Sequence, residues 1–326
     1  MKKLISVLSV VVVLVFVVVA VSWGYRYELY ESAMQYEMSK GSLTKDVHRQ
    51  PDYQITYLEG PKRQDQDTLL LVHGFAANKE NWLRFAAHLS DQYHILAVDL
   101  LGHGESTKRH ELSYDIDDQV RYIKSFMDAK GIAKFHIAGN SMGGAISAMY
   151  SARHPESILS AVLIDPAGIF DHRSELEEHL EQGSNPLIVK DRNDFKRLLS
   201  FALEKIPFVP WPLDSVAAEV AMENKEINDR IFQQLRNSSH YDFKAEITNI
   251  KAPTLIMWGK QDRVINYLNA EPFNELIPNS EVLLYDDIGH APMIEIPLRS
   301  SHDIHTFIQR GLKANANAGS AEIAQE

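Results

Sequence analysis

The hexapeptide Gly139-Asn140-Ser141-Met142-Gly143-Gly144 sets a serine among small residues, directly after the apolar run 135–138 and directly before a helical pattern. On such a strand-to-helix turn the hydroxyl is pushed into the open, and the glycines let the backbone make the bend. The Met142 N–H and the start of the following helix then face any negative charge that develops beside the serine. A serine hydroxyl is a poor nucleophile at neutral pH without a base. Among the 14 histidines, His290 follows the run 282–285 through Asp286-Asp287-Ile288-Gly289, where a strand delivers its carboxyl end. That histidine needs a carboxylate to orient it. Asp262, in Trp258-Gly259-Lys260-Gln261-Asp262-Arg263 just beyond the preceding run, is the candidate, and Asp165, which also ends a run, is the alternative. A fourth element, His73-Gly74-Phe75, follows the first strong apolar run. From that loop the Phe75 N–H would pair with the Met142 N–H around a tetrahedral oxyanion, each donor contributing on the order of 3 kcal/mol. His73 itself reads as a brace for the loop and not as a proton carrier.

These residues need a scaffold, and the hydrophobic pattern supplies one. Six apolar runs, at 68–72, 94–98, 135–138, 161–164, 254–258 and 282–285, read as strands covered on both faces. Stretches with helical spacing at 82–89, 120–127 and 145–152 alternate with them. Such alternation predicts an α/β fold with a parallel sheet and crossover helices, whose active site lies at the carboxyl ends of the strands. One segment breaks the rhythm. Residues 170–245 hold no strong strand and read as a mostly helical cap, inserted between two parts of one domain at 51–169 and 246–311. In the cap Phe195, Leu198, Leu199, Ala202 and Leu203 follow the i, i+3, i+4, i+7, i+8 spacing of a single helical face. Next comes Ile206-Pro207-Phe208-Val209-Pro210-Trp211-Pro212, whose three prolines forbid helix interior. The apolar cap face either packs on the body or walls an acyl groove. In the second case Phe75, Phe195, Leu199, Phe208 and Trp211 are the candidate substrate contacts. From 312 to 326 the chain lacks apolar residues to bury and is expected to be a disordered tail.

Composition narrows the chemistry further. The 326 residues include no cysteine, which removes disulfides, thiolate nucleophiles and Cys-ligated metals together. There is no His-Glu-x-x-His, no phosphate-binding loop and no dinucleotide fingerprint, and His172 and His179 are spaced for solvent and not for a metal. The expectation is therefore a site with no metal and no organic cofactor. Residues 1–27 carry Lys2, Lys3 and Arg26 and no acid; the other 30 basic and 44 acidic residues leave the body at −14. A body so acidic repels phosphate backbones and argues against nucleic acid as a partner. Residues 4–23 form a 20-residue run without charge, ten of them valine. At 1.5 Å rise per residue a helix of that length spans roughly 30 Å, the thickness of a bilayer's hydrocarbon. Lys2 and Lys3 predict the N-terminus inside and the body outside the cytoplasm. The run exceeds the usual signal-peptide core, which favours a retained anchor at 1–25 followed by a juxtamembrane segment at 26–50. A cleaved signal peptide, with Ala20-Val21-Ser22 as its site, is the alternative.

From about residue 50 to 311 the chain resembles the α/β-hydrolase superfamily. The resemblance rests on His73-Gly74-Phe75, Asp99-Leu100-Leu101-Gly102-His103-Gly104-Glu105-Ser106, the serine turn, Asp262 and Gly289-His290. The order Ser141, Asp262, His290 is the Ser…Asp…His order of that fold's triad. The membrane segment, together with His73-Gly74-Phe75-Ala76-Ala77-Asn78-Lys79-Glu80-Asn81-Trp82 and Asp165-Pro166-Ala167-Gly168, is similar to membrane-anchored monoacylglycerol lipases and related bacterial lipases. The resemblance implies a serine esterase acting on a lipid-like ester; the oligomeric state stays open. Two alternatives remain. One is a hydrolase cleaving carbon–carbon bonds of ring-fission products, and the other a non-catalytic binding protein of the same fold.

Overall fold

The computed structural model describes residues 2–237 and 242–323. In chain order the strands are β1 (Thr44–Arg49), β2 (Gln54–Glu59), β3 (Thr68–Val72), β4 (His94–Val98), β5 (Phe135–Asn140), β6 (Ile158–Ile164), β7 (Thr254–Gly259) and β8 (Ser280–Tyr285). They form one eight-stranded sheet in the order β1-β2-β4-β3-β5-β6-β7-β8. β1 with β2 and β2 with β4 run antiparallel, and the other pairings are parallel. The helices are α1 (Lys2–Gly24), α2 (Arg26–Lys40), α3 (Leu83–Ala86), α4 (Ile116–Ala129), α5 (Met142–Arg153), α6 (Glu175–Glu181), α7 (Arg192–Ala202), α8 (Leu213–Glu223), α9 (Lys225–Asn237), α10 (Phe243–Ile247), α11 (Ala270–Leu276), α12 (Pro292–Glu295) and α13 (Pro297–Ile323).

The apolar runs are continuous because each strand feeds two cores. Leu70 and Val72 of β3, Leu96 and Val98 of β4 and Ile256 and Trp258 of β7 pack on one face, under α4, α5, α10 and α11. Their neighbours Leu69, Leu71, Ile95, Ala97, Leu255 and Met257 pack on the other, under α3, α12 and α13. Every residue of β3, β4, β5 and β7 is buried. At roughly 1.5–3 kcal/mol for each fully buried aliphatic side chain, these strands are the sheet's main cohesion.

All six expected strands are present, and two more precede them. The segment read as juxtamembrane supplies α2 and the whole of β1, so the sheet begins at Thr44 and not at residue 51. β1 is the edge strand, mostly exposed and paired only with β2, so Thr-Lys-Asp-Val-His-Arg needs no apolar face. Charge on an edge strand also discourages pairing with another chain. At the other end α13 runs on to Ile323, into the segment expected to be a tail, and 324–326 lie outside the described residues. Between β6 and β7 the helices α6 to α9 form the inserted cap. α1 is long and apolar enough to cross a membrane: residues Val7–Gly24 have a mean hydropathy of 2.9, and none of that stretch is buried.

Candidate active site

Ser141 caps α5 from a backbone at φ 57°, ψ −119°. For a non-glycine residue this conformation costs on the order of 1–3 kcal/mol and persists only where its surroundings hold it. Here they do so through the backbone. Its N–H donates to the Ile164 carbonyl at 2.9 Å, and its own carbonyl accepts from Ala145 at 3.1 Å and Ala167 at 3.0 Å. The flanking glycines are there for clearance. A Cβ on Gly139 would lie 2.0 Å from the Gly143 carbonyl oxygen, and one on Gly143 would lie 2.3 Å from that of Val72. β5, the turn and α5 therefore pack directly on the end of β3.

His290 Nδ1 lies 2.7 Å from Asp262 Oδ2. That oxygen also accepts from Trp258 Nε1 at 3.1 Å, while Oδ1 accepts from the N–H groups of Val264 at 2.8 Å and Ile265 at 3.0 Å. With both oxygens occupied, the carboxylate is fixed in orientation, and the imidazole with it. The His290 backbone is held from two sides. Asn140 Nδ2, one residue before the serine, donates to its carbonyl at 2.9 Å, and its N–H donates to the Ala202 carbonyl at the end of α7 at 2.7 Å. Ser141, Asp262 and His290 are 9%, 8% and 8% exposed, so all three lie beneath other elements. Asp165, the alternative acid, is fully buried nearby, its Oδ1 accepting from the Gly259 N–H at 2.9 Å. Burial, reinforced by the Asp262 charge, pushes its carboxyl well above the usual range.

The His73-Gly74-Phe75 loop packs on the serine. A Cβ on Gly74 would lie 3.1 Å from that of Ser141 and 3.2 Å from the Asn140 carbonyl oxygen. The loop that carries Phe75, one of the two expected amide donors, therefore packs against Ser141, and Met142, the other, follows Ser141 in the chain. His73 Nδ1 meets the Gly74 carbonyl at 2.7 Å, and its Nε2 accepts from the Leu100 N–H at 3.0 Å. Burial pulls the imidazole down to about 4, so it stays neutral and acts as a strut between two loops. A charged lock lies behind. Lys79 Nζ is buried against Asp99 at 2.9 Å, Glu105 at 2.7 Å and Glu80 at 2.8 Å, and Asp99 also accepts from the Lys79 and Glu105 N–H groups, each at 2.8 Å. Burial disfavours the ammonium, but the carboxylates outweigh it and hold its pKa above the ordinary lysine value. Lys79→Met leaves Asp99 buried without its counter-charge. The expected cost is about 3–5 kcal/mol, read as a lowered denaturation midpoint.

The structure divides the expected substrate contacts. Phe75 is half-buried against Phe232 of α9, with ring centroids 5.5 Å apart, where the segment between β6 and β7 meets the His73-Gly74-Phe75 loop. Phe195 and Leu199 are half-buried on α7, and Leu199 packs on the core beneath the cap. Phe208 and Trp211 stand at the surface. They are 83% and 47% exposed, because Pro207 and Pro210 hold 206–211 out as a surface loop, and Trp211 stacks on Trp23 of α1.

Sequence reasoning missed the fastening between cap and histidine. Glu295 Oε1 accepts from the Gly289 N–H at 2.9 Å, and Oε2 accepts from Glu204 at 3.0 Å and Lys205 at 2.7 Å. One side chain thereby ties the chain leaving α7 to the residue before His290. Its partners are backbone N–H groups, which leave no mark in residue type. Glu295→Ala should lower kcat on p-nitrophenyl esters between about 10- and 100-fold by loosening His290. Glu295→Gln, which keeps one acceptor oxygen, should lose less.

The family model for the alpha/beta hydrolase fold matches residues 67–297. Lipase 3 of a Moraxella strain is 34% identical over 288 residues, covering 87% of this chain and 90% of that protein. A monoacylglycerol lipase of Xenopus laevis is 31% identical, covering 79% of this chain and 80% of its own. The crystal structure of a membrane phospholipase A, described as a bacterial virulence factor, superposes with a TM-score of 0.86 at 38% identity, covering 95% of this chain and 99% of that one. With the serine on its strand-to-helix turn and the mostly parallel sheet behind it, these likenesses establish that the chain belongs to the alpha/beta-hydrolase family, as a serine hydrolase of the lipase and esterase type.

Proposed function

We propose that the enzyme cleaves lipid-like carboxylic esters, monoacylglycerol foremost, through a Ser141–His290–Asp262 triad and an acyl-enzyme. The observation that carries this reading is the 2.7 Å contact between His290 Nδ1 and Asp262 Oδ2, on a histidine whose backbone is tied to the residue preceding Ser141. With Nδ1–H given to Asp262, Nε2 is the free base. It takes the Ser141 proton as Oγ attacks the ester carbonyl, and Asp262 stabilises the imidazolium that forms. The Phe75 and Met142 amides receive the oxyanion. His290 then protonates the departing alcohol and activates the water that releases the acid. α1 holds the enzyme in a bilayer, with Lys2 and Lys3 on the cytoplasmic side and the catalytic body outside the cytoplasm.

The lipase relatives support an ester over the carbon–carbon bond of a ring-fission product. The likeness to a membrane phospholipase A supports a phospholipid acyl ester as a second substrate class. A hydrolysis profile decides among them: monoacylglycerols and p-nitrophenyl esters of increasing chain length, with phosphatidylcholine alongside. Rates should rise from short to medium or long acyl chains. A wide margin in favour of short, water-soluble esters would remove the lipid half of the proposal. A fluorophosphonate probe that fails to label Ser141 would remove the catalytic half.

A further inference from the structure

The loop 206–211, between α7 and α8, carries an exposed apolar surface. Ile206, Phe208, Val209 and Trp211 are 48%, 83%, 41% and 47% exposed, and Phe208 is the most exposed large apolar side chain among the described residues. Pro207 and Pro210 fix this stretch as an irregular loop, so no helix face can turn these side chains inward. The loop also has a defined place. The Trp211 ring stacks on Trp23 at 6.2 Å between centroids and 11° between planes. Trp23 is the last residue but one of α1. The guanidinium groups of Arg26 and Arg192 lie 4.5 Å and 5.5 Å from the Trp23 ring centroid. Glu219 of α8 accepts from the Tyr27 hydroxyl at 2.6 Å and pairs with Arg192 at 2.6 Å and Arg26 at 3.5 Å. The start of α7 and the face of α8 are thus bolted to the point where the apolar helix ends.

We infer that the 206–211 loop of the cap is a second membrane contact, its apolar side chains seated in the bilayer surface from which α1 emerges. The inference rests on the reading that α1 spans a bilayer. If it does, Trp23 lies at the level of the headgroups, where tryptophan and tyrosine concentrate, and stacking puts Trp211 at the same depth. Tyr25 and Tyr27, 60% and 46% exposed, extend this aromatic zone. The occupant is a lipid surface because the patch continues an unburied apolar helix directly. Charge does not favour it, since the body beyond residue 27 carries −14. Attachment must therefore come from apolar insertion, which salt does not weaken. A cap held there would take its substrate from the plane of the bilayer and not from free solution.

The absence of cysteine makes the test direct, because any cysteine introduced into the full chain is unique. Three single variants, Phe208→Cys, Val12→Cys in α1 and Asp128→Cys at the end of α4, are labelled with an environment-sensitive fluorophore. Each is reconstituted in phosphatidylcholine vesicles with or without brominated acyl chains. The expected result is quenching at 208 and at 12 and none at 128. Quenching at 12 without quenching at 208 overturns the inference and leaves the membrane helix standing. A blue-shifted but unquenched label at 208 also overturns it, pointing to a second copy of the chain as the occupant. No quenching at 12 sinks the spanning reading itself, and the inference with it.

Discussion

Ser141→Ala is expected to lose ester hydrolysis by roughly a millionfold, the scale on which removing a triad nucleophile acts elsewhere, while the protein stays folded. Folding survives because the bonds that hold residue 141 at φ 57° run from its N–H to Ile164 and from Ala145 and Ala167 to its carbonyl. Alanine keeps that Cβ and that backbone and removes only the oxygen. What remains should be the small rate supplied by substrate binding and the Phe75 and Met142 amides. The check is a rate on p-nitrophenyl esters beside a thermal denaturation curve. Substantial activity in a folded variant would refute the mechanism; an unfolded variant would show that the side chain also serves the turn.

The second large effect separates the two candidate acids. Asp262→Asn should reduce kcat about 10,000-fold, because the amide no longer accepts the His290 Nδ1 proton and the imidazole settles in the wrong tautomer. An amide nitrogen at that position would also face Trp258 Nε1 or the Val264 and Ile265 N–H groups, all donors. Asp165→Asn should stay within about tenfold of the parent enzyme. Burial beside Asp262 pushes the Asp165 carboxyl well above its usual range, toward the neutral acid that an amide copies in size and charge. The opposite ranking of the two variants would move the triad's acid from β7 to β6.

The sequence was most legible where residue type and backbone demand coincide. Gly139 and Gly143 sit where any Cβ would strike a carbonyl, so the serine turn announced itself. The buried strands did so as well, since packing on two faces leaves them no room for polar residues. β1 escaped because an edge strand that pairs on one side can be polar throughout. The exposed place of Phe208 and Trp211 was not legible either, because an apolar side chain states a preference for leaving water and not the direction in which it leaves. The Ala202 carbonyl and the backbone N–H groups gathered by Glu295 were invisible, since every residue type but proline carries both groups. The sheet and the serine turn were therefore open to reading. The cap's attachments were not.

The cap enters the chain between β6 and β7, after Ser141 and before Asp262 and His290. A cut at Gly183-Ser184, which is exposed, would place Ser141 and both proposed amide donors on one polypeptide and the proposed base and acid, His290 and Asp262, on another. On the proposed mechanism neither fragment could attack an ester. Each would also carry one side of the β6–β7 pairing, from Ala161 with Thr254 to Ile164 with Met257, as a raw apolar edge. Reassembly and activity would then be the same event, so the enzyme divides at its cap into a two-part reporter whose signal requires both halves to meet.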